Sequence, residues 1–368
     1  YTLVGKDSSK AVYVDDSELL LGEYFKSKGY MTAAFINNPN LDISNSIQGF
    51  DMVNHCWNPV KKGSYLPSMS DYMNLKYGNL KTQLEAFIKK NRDKPVFIFI
   101  HTMEPHVPYE PPLEMRRYSS KAQRPVLKTL YHHISPLPCY HRLNNPDKLH
   151  LDTLKNLYRD SVDASYRYFS KIEGLLNSNG VLNDESLLIL TSDHGERFYE
   201  HRSWTHGPPD VYNEVLQIPM MIRGEKFKAG SVKAPVQLAD LFPSIIDWMG
   251  DQLTPEIHGR SLVGILENTR QLNDLKNRWI YVDGTSDEPQ FAMIRNGVKL
   301  IRVNNHYEKY DLTIDPFEKH NLFLFDNDRK LVEEATRYRK RIRRIRKKAQ
   351  KTRELSDEEK KRLRTLGY

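Results

Sequence analysis

Four short runs rich in β-branched and aromatic side chains, at 30–36, 95–102, 186–192 and 218–223, most constrain what this chain can fold into. Each is separated from the next by a stretch long enough for a helix. Antiparallel neighbours can close through turns of about two to five residues, whereas parallel strands need crossovers of about a dozen or more. The spacing therefore predicts parallel strands joined by helical crossovers, an α/β architecture.

Helical periodicity fills the intervals. Residues 17–28 carry Leu19, Leu20, Tyr24 and Phe25 on one face, behind Asp15 and Asp16 read as a helix cap, and stop at Gly29. Further helices are predicted over 72–90, 151–176 and 236–249. The stretch 109–150 is rich in Pro, His and Arg without a period, and predicts an irregular excursion beside the site that its neighbours build. From Trp279 the texture changes. Residues 291–295 and 299–303 flank Asn296-Gly297, a dipeptide suited to the two positive-φ positions of a tight hairpin, so a small antiparallel unit is expected. The chain divides on this reading into a main α/β domain over 1–278, an antiparallel subdomain over 279–324 and a basic helical tail over 325–368, with no internal repeats.

Composition narrows the class. With 39% hydrophobic and 28% charged residues the chain has the balance of a globular protein, and no apolar run approaches the roughly 18 residues that would span a bilayer. Cys56 and Cys139 are the only cysteines, which excludes a disulfide-dense scaffold or a four-cysteine zinc site and leaves free, buried thiols as the plain expectation. The formal charge of +8 suggests nucleic acid until it is located. Residues 325–368 hold 17 Lys and Arg against 8 Asp and Glu, leaving 38 against 39 elsewhere, so the body is neutral. The basic stretch 337–353 is expected to be a solvated helix, and neither nucleic acid nor a membrane is the expected partner. Tyr1 stands where a Met would, and no signal pattern opens the chain, so its true beginning is expected upstream and its location is undetermined.

Three stretches carry chemistry. In 186–196 a strand delivers Asp193, His194 and Gly195 to its carboxyl end, where open α/β sheets place their sites. A carboxylate and a neutral imidazole suit a divalent cation, although the same pair also serves as a cap beside a hydrogen-bonded histidine. In 96–109 a second strand leads to His101 and then His106, whose flanking Pro105 and Pro108 hold its backbone extended. Such a histidine suits a charged oxygen or proton transfer to a leaving group, or a purely structural loop. In 200–207, His206 beside Gly207 returns toward the first stretch, where it would approach an anion closely.

Taken together the motifs resemble the sulfatases of the alkaline phosphatase superfamily. They are Gly29-Tyr-Met-Thr-Ala-Ala34, Gly49-Phe-Asp51, Pro105-His-Val-Pro-Tyr109, Thr191-Ser-Asp-His-Gly-Glu196 and Trp204-Thr-His-Gly207 with Tyr212-Asn-Glu214. His258-Gly-Arg-Ser-Leu262, Tyr310-Asp-Leu-Thr-Ile-Asp-Pro316, Asn321-Leu322 and Leu366-Gly-Tyr368 follow in the expected order. The resemblance implies an alkaline phosphatase-like α/β/α sandwich on a mostly parallel sheet, with a small C-terminal antiparallel unit. It implies Asp193 and His194 as metal ligands, and His106 and His206 as residues that contact the ester's anionic group or the leaving oxygen. It also implies one divalent cation, Ca²⁺ for a sulfate ester or Mn²⁺ or Zn²⁺ for a phosphoester, and a small-molecule or glycan sulfate ester as substrate.

Two departures qualify the substrate. Neither Cys56-Trp-Asn-Pro59 nor Cys139-Tyr-His-Arg142 fits the Cys-x-Pro-x-Arg or Ser-x-Pro-x-Arg nucleophile motif of the family, so the nucleophile is expected on a segment upstream, and this chain alone should turn over little. After Gly29-Tyr-Met-Thr-Ala, where well-known arylsulfatases continue Gly-Lys-Trp-His, this chain reads Phe35-Ile-Asn37-Asn38-Pro39. The lost Lys and His keep a phosphodiester or phosphonate hydrolase and a phosphoryl transferase open beside the sulfatase, and the unseen nucleophile keeps an inactive binding module open.

Overall fold

Ala33, Ala34, Phe35 and Ile36 are almost entirely withdrawn from solvent: the strand they form is central in its sheet, and Ala34 and Ile36 pack with Ile47, Leu41 and Phe50. The computed structural model describes residues 10–56, 80–107, 109, 111, 113–119, 148–206, 211–252, 259–268, 272–284, 290–303 and 305–365. They fall into two compact units. The first comprises Tyr1–Asn183, His201–Trp204 and Lys347–Tyr368, and the second Asp184–Glu200 and Thr205–Arg346.

In the first unit β1 (Lys10–Val14) leads to α1 (Leu21–Ser27), then β2 (Met31–Ile36), β3 (Met52–His55), α2 (Leu80–Lys90), β4 (Val96–Ile100) and the long α3 (Lys148–Ser178). Strand β2 lies between β3 and β4 and runs parallel to both, as the crossover lengths predict. Thr32 fixes the start of this sheet: its hydroxyl meets the Asp51 carboxylate at 3.1 Å while accepting the Asp51 N–H at 2.8 Å. Lys26 closes the cluster on Asp51 at 2.7 Å. Asp160, fully buried on α3, accepts hydrogen bonds from the Arg117, Tyr118 and Ser119 amides, so a helix carboxylate fixes residues 117–119.

Several predicted boundaries move. Helix α1 begins at Leu21 rather than residue 17, and Asp15 is not its cap. The Asp15 carboxylate accepts the Ser17 N–H at 3.0 Å in a local turn and pairs with Lys351, while Glu23 reaches back to the Leu20 N–H at 3.1 Å. Residues 72–79 of the second predicted helix, and most of 109–150, lie outside the described residues, as does Cys139.

The second unit contains β5 (Leu188–Thr191), the short helix α4 (Asn213–Leu216), β6 (Met220–Arg223) and α5 (Leu241–Trp248). It continues with β7 (Ile280–Asp283), β8 (Phe291–Arg295), β9 (Val298–Val303), β10 (His306–Asp311) and α6 (Phe325–Ala349). Strand β6, expected parallel, runs antiparallel to β5. Strands β7 to β10 form the expected antiparallel sheet, ordered β10-β9-β8-β7, and the β8–β9 hairpin turns on Asn296 and Gly297, both with positive φ. Asp240 is the buried anchor of the intervening segment. Arg278 grips it at 2.7 Å, and the Arg260 N–H donates to it at 2.9 Å. A Cβ on Gly259 would lie 1.8 Å from the Ala239 carbonyl oxygen, so that approach is open to glycine alone.

The C-terminal segment is not helical throughout. The chain leaves α6 after Ala349 and forms β11 (Gln350–Glu354), antiparallel to β1 in the first unit, where Ala11, Ile43 and Leu355 share a small core.

Candidate active site

Strand β5 ends at Thr191, whose hydroxyl donates to the Pro219 carbonyl at 2.9 Å and ties the strand end to the chain entering β6. The next residues make a tight turn. Ser192 Oγ donates to the His194 carbonyl at 3.2 Å, and Asp193 Oδ1 accepts the His194 N–H at 3.0 Å. The Gly195 N–H donates to the Val215 carbonyl at 2.7 Å, and a Cβ at this glycine would lie 2.3 Å from the Glu214 carbonyl oxygen. The turn therefore rests directly on the backbone of α4.

That contact orders the side chains. His194 Nδ1 lies 2.8 Å from the Gly195 carbonyl, an acceptor, so Nδ1 carries the proton and Nε2 keeps its lone pair. Nε2 stands 3.8 Å from Asp193 Oδ2, whose side chain is half exposed. Asp193 and His194 are the residues that would hold a divalent cation, each supplying one electron-pair donor. Burial, and then the neighbouring His206, hold the His194 pKa below the usual imidazole value, which favours the neutral, ligating form. The donor set fits a divalent cation as part of a site. Among the described residues, no group of three or more His, Cys, Asp or Glu able to hold a metal ion occurs.

The His206 ring stacks on His194, with centroids 4.0 Å apart and planes inclined by 26°. Its Nδ1 lies 3.2 Å from Oε1 of Glu196, a carboxylate with 5% side-chain exposure. A carboxylate on Nδ1 fixes the ring's orientation and leaves Nε2 for a substrate oxygen. Arg197, entirely buried, donates from Nε to the Thr205 carbonyl at 3.0 Å and fixes the backbone that carries His206.

His106 belongs to the first unit, on the loop after β4. Its N–H donates to the Met103 carbonyl and its Nδ1 meets the Val107 carbonyl, each at 2.6 Å. Asn37, Cys56 and His101 follow the carboxyl ends of β2, β3 and β4, where a parallel sheet gathers polar groups. Cys56 is free and buried, and burial pushes its thiol up to about 11, which suits an inert cysteine.

This arrangement has relatives. The family model described as Sulfatase matches residues 4–251, and one described as N-sulphoglucosamine sulphohydrolase, C-terminal, matches residues 200–348. The chain belongs to the sulfatase family. Sulfatase relatives include arylsulfatase K of Mus musculus, 29% identical over 153 residues that make up 38% of this chain and 27% of that protein. The multifunctional alkaline phosphatase superfamily protein PehA of Trinickia caryophylli is 23% identical over 276 residues, 64% of this chain and 53% of that protein. The chain thus spans between 27% and 53% of these curated relatives. A structure solved in complex with its substrate D-glucosamine-2-N,6-O-disulfate superposes with a TM-score of 0.64 at 19% identity, covering 91% of this chain and 84% of the other. The phosphonate monoester hydrolase of Agrobacterium radiobacter gives 0.64 at 17% identity, covering 92% and 82%. These two likenesses establish the alkaline phosphatase-like α/β fold.

The structure also assigns neighbours to residues that sequence reasoning left without roles. Glu196 partners His206, a pairing across ten residues that no spacing rule signals. Behind α4, Glu318 accepts the Asn213 N–H at 2.6 Å and Lys299 donates to Asn213 Oδ1 at 3.0 Å, so the Tyr212-Asn-Glu214 and Asp315-Pro316 motifs meet in one buried network.

Proposed function

We propose that the full-length protein is a metal-dependent hydrolase of sulfuric esters. The observation that carries this reading is the juxtaposition of Asp193 and His194, facing each other as a donor pair, with His206 stacked alongside and oriented by Glu196. Asp193 and His194 would hold the cation, which when bound neutralises the ester's non-bridging oxygens and favours an ionised nucleophile. His206, held by Glu196, presents Nε2 to the departing oxygen and gives it a proton; His106 is the second histidine to which the family resemblance gives binding of the anionic group or that transfer. The attacking group is a residue of the whole protein outside the motifs carried here, since neither cysteine of this chain stands in a nucleophile motif. Ca²⁺ is the expected ion for a sulfate ester, and Mn²⁺ or Zn²⁺ for a phosphoester. The substrate class is a small-molecule or glycan sulfate ester; the matched N-acetylglucosamine-6-O-sulfatase of Bacteroides thetaiotaomicron, 29% identical over 151 residues, supports a sulfated sugar.

A second reading, phosphodiester or phosphonate hydrolysis, draws on one observation. The segment Phe35-Ile-Asn37-Asn38-Pro39, in which Asn37 is 4% exposed at the end of β2, carries neither the Lys nor the His with which arylsulfatases hold sulfate. Hydrolysis of an aryl sulfate and a phosphodiester by the full-length protein, with Asp193→Ala alongside, separates the readings. Sulfate-ester turnover that disappears in the variant is expected; phosphodiester preference would replace the label, and undiminished activity in the variant would remove the metal assignment.

A further inference from the structure

Helix α6 divides its residues by face. Leu331, Val332, Ala335 and Tyr338 pack on Phe291, Met293 and Leu300 of the antiparallel sheet. Arg339 and Arg343 both pair with Asp283, Arg295 takes Glu334, Lys309 takes Asp328, and Arg329 takes Glu333. After these pairs are formed, a set of cations is left over. Lys330, Arg337, Lys340, Arg341 and Arg344 are exposed, and none is in an ion pair among the described residues. At 100° per residue the five fall within a sector of about 100° on the face opposite the packed one, and from Lys330 to Arg344 they extend over about 21 Å. Between Lys330 and Arg344, Glu333 is the sole acid in that sector and is already bound to Arg329; Asp326 lies in the same sector one turn before Lys330.

We propose that this stripe is a docking surface for a linear sulfated polysaccharide, engaging sulfate groups outside the catalytic cleft. A straight row of fixed positive charge matches a linear polyanion, and the guanidinium of Arg337, Arg341 and Arg344 offers a planar fork of donors that fits a tetrahedral oxyanion better than an ammonium does. The stripe carries no aromatic side chain on which a base would stack and no apolar side chain to enter a lipid interface, which disfavours single-stranded nucleic acid and a membrane. The choice of sulfate among polyanions rests on the proposed sulfuric-ester chemistry, so that a polymer held along α6 would raise the local concentration of ester without itself being the bond cleaved.

The test compares the full-length protein with a stripe variant, Lys330→Gln/Arg337→Gln/Arg341→Gln/Arg344→Gln, and a control that loses the same charge from the first unit, Lys81→Gln/Lys89→Gln/Lys90→Gln/Lys94→Gln. All substituted side chains are exposed, and Gln keeps helix propensity close to that of Lys and Arg. Circular dichroism checks the fold. Binding to heparin, to a length-matched DNA duplex and to phosphatidylserine vesicles is measured across a salt series. The expected result is at least tenfold weaker heparin binding by the stripe variant at physiological salt, a salt slope lower by about three, and near-parental heparin binding by the control. Equal losses in the two variants, or DNA or vesicle binding as tight as heparin binding, would overturn the proposal. Because binding is read without turnover, failure of sulfate-ester hydrolysis bears on the proposed activity alone, and kcat/KM for a small sulfate ester is expected to be unchanged in the stripe variant.

Discussion

The Lys299 ammonium lies 2.5 Å from the Glu318 carboxylate, and neither side chain has any exposure to solvent. Burial pushes the Lys299 pKa down and the Glu318 pKa up, each toward its neutral form, while the partner's charge opposes the shift. Glu318 is held there with φ at +52°, and its second oxygen takes the Asn213 N–H. Removing one partner leaves the other charge buried, which costs about 3–5 kcal/mol, whereas replacing both by apolar side chains is commonly tolerated. Urea unfolding of Glu318→Ala should show a loss of that size, with Lys299→Met/Glu318→Leu much closer to the parent. Equal losses in both variants would show that the pair is not the source.

Gly195 connects that network to the candidate ligands. Alanine there would press on the Glu214 carbonyl, and because both partners are backbone the strain cannot be relieved by a rotamer change. Gly195→Ala is expected to cost about 1–3 kcal/mol. It should also weaken cation binding measured by calorimetry, since Asp193 and His194 immediately precede the displaced residue; unchanged affinity in a folded variant would break the link.

A bound cation stabilises the state that binds it. At a hundredfold excess over Kd the gain is about 2.7 kcal/mol, so the full-length protein should melt at higher temperature with Ca²⁺ or Mn²⁺ and lose that increment with a chelator. Asp193→Ala should melt at the same temperature with and without the ion. A cation response retained in the variant would place the site elsewhere.

For turnover, His206→Ala should lower kcat/KM by about 10²–10⁴, the usual range for a general acid. Glu196→Gln should cost less, about 10–100-fold, as one charge-assisted hydrogen bond is lost while the ring remains. A pair of variants with the reverse order of severity would assign Glu196 a direct role.

Acid should release the C-terminal strand first. Lys351 and the Ser17 amide hold the Asp15 pKa at about 2, and Arg353 followed by the Ser356 groups holds Glu359 at about 2. Both folded values lie below the unfolded ones, so their stabilisation is fully present above roughly pH 4.5 and is lost as pH falls toward 2. Hydrogen exchange, corrected for intrinsic rates, should show protection of 350–354 falling between pH 5 and about 2 before that of β2 and β4. Simultaneous loss in all three strands would contradict this.

Much of the fold was legible in the chain itself. Alternating strand and helix signals, the Asn296-Gly297 turn and the apolar period of α6 are local properties, set by backbone sterics and by which face of one element can be buried. They suffice for an α/β body and an antiparallel unit, and the ordered motifs suffice for the family. Local signals do not carry direction or pairing. Residues 218–223 read as a strand but not as one antiparallel to β5, and Gln350–Glu354 read as helix because Lys and Arg sustain a helical period until β1 offers those amides a partner. The same holds at the candidate site. The Asp193-His194 pair is a strand-end signature, but the Glu196–His206 contact, the Gly195 seat on α4 and the Lys299–Glu318 pair with its bonds to Asn213 join residues up to 105 positions apart. Which of many buried carboxylates meets which cation is decided by packing, where removing charge from water is costly unless a partner stands within hydrogen-bond reach, and only the tertiary structure determines that distance.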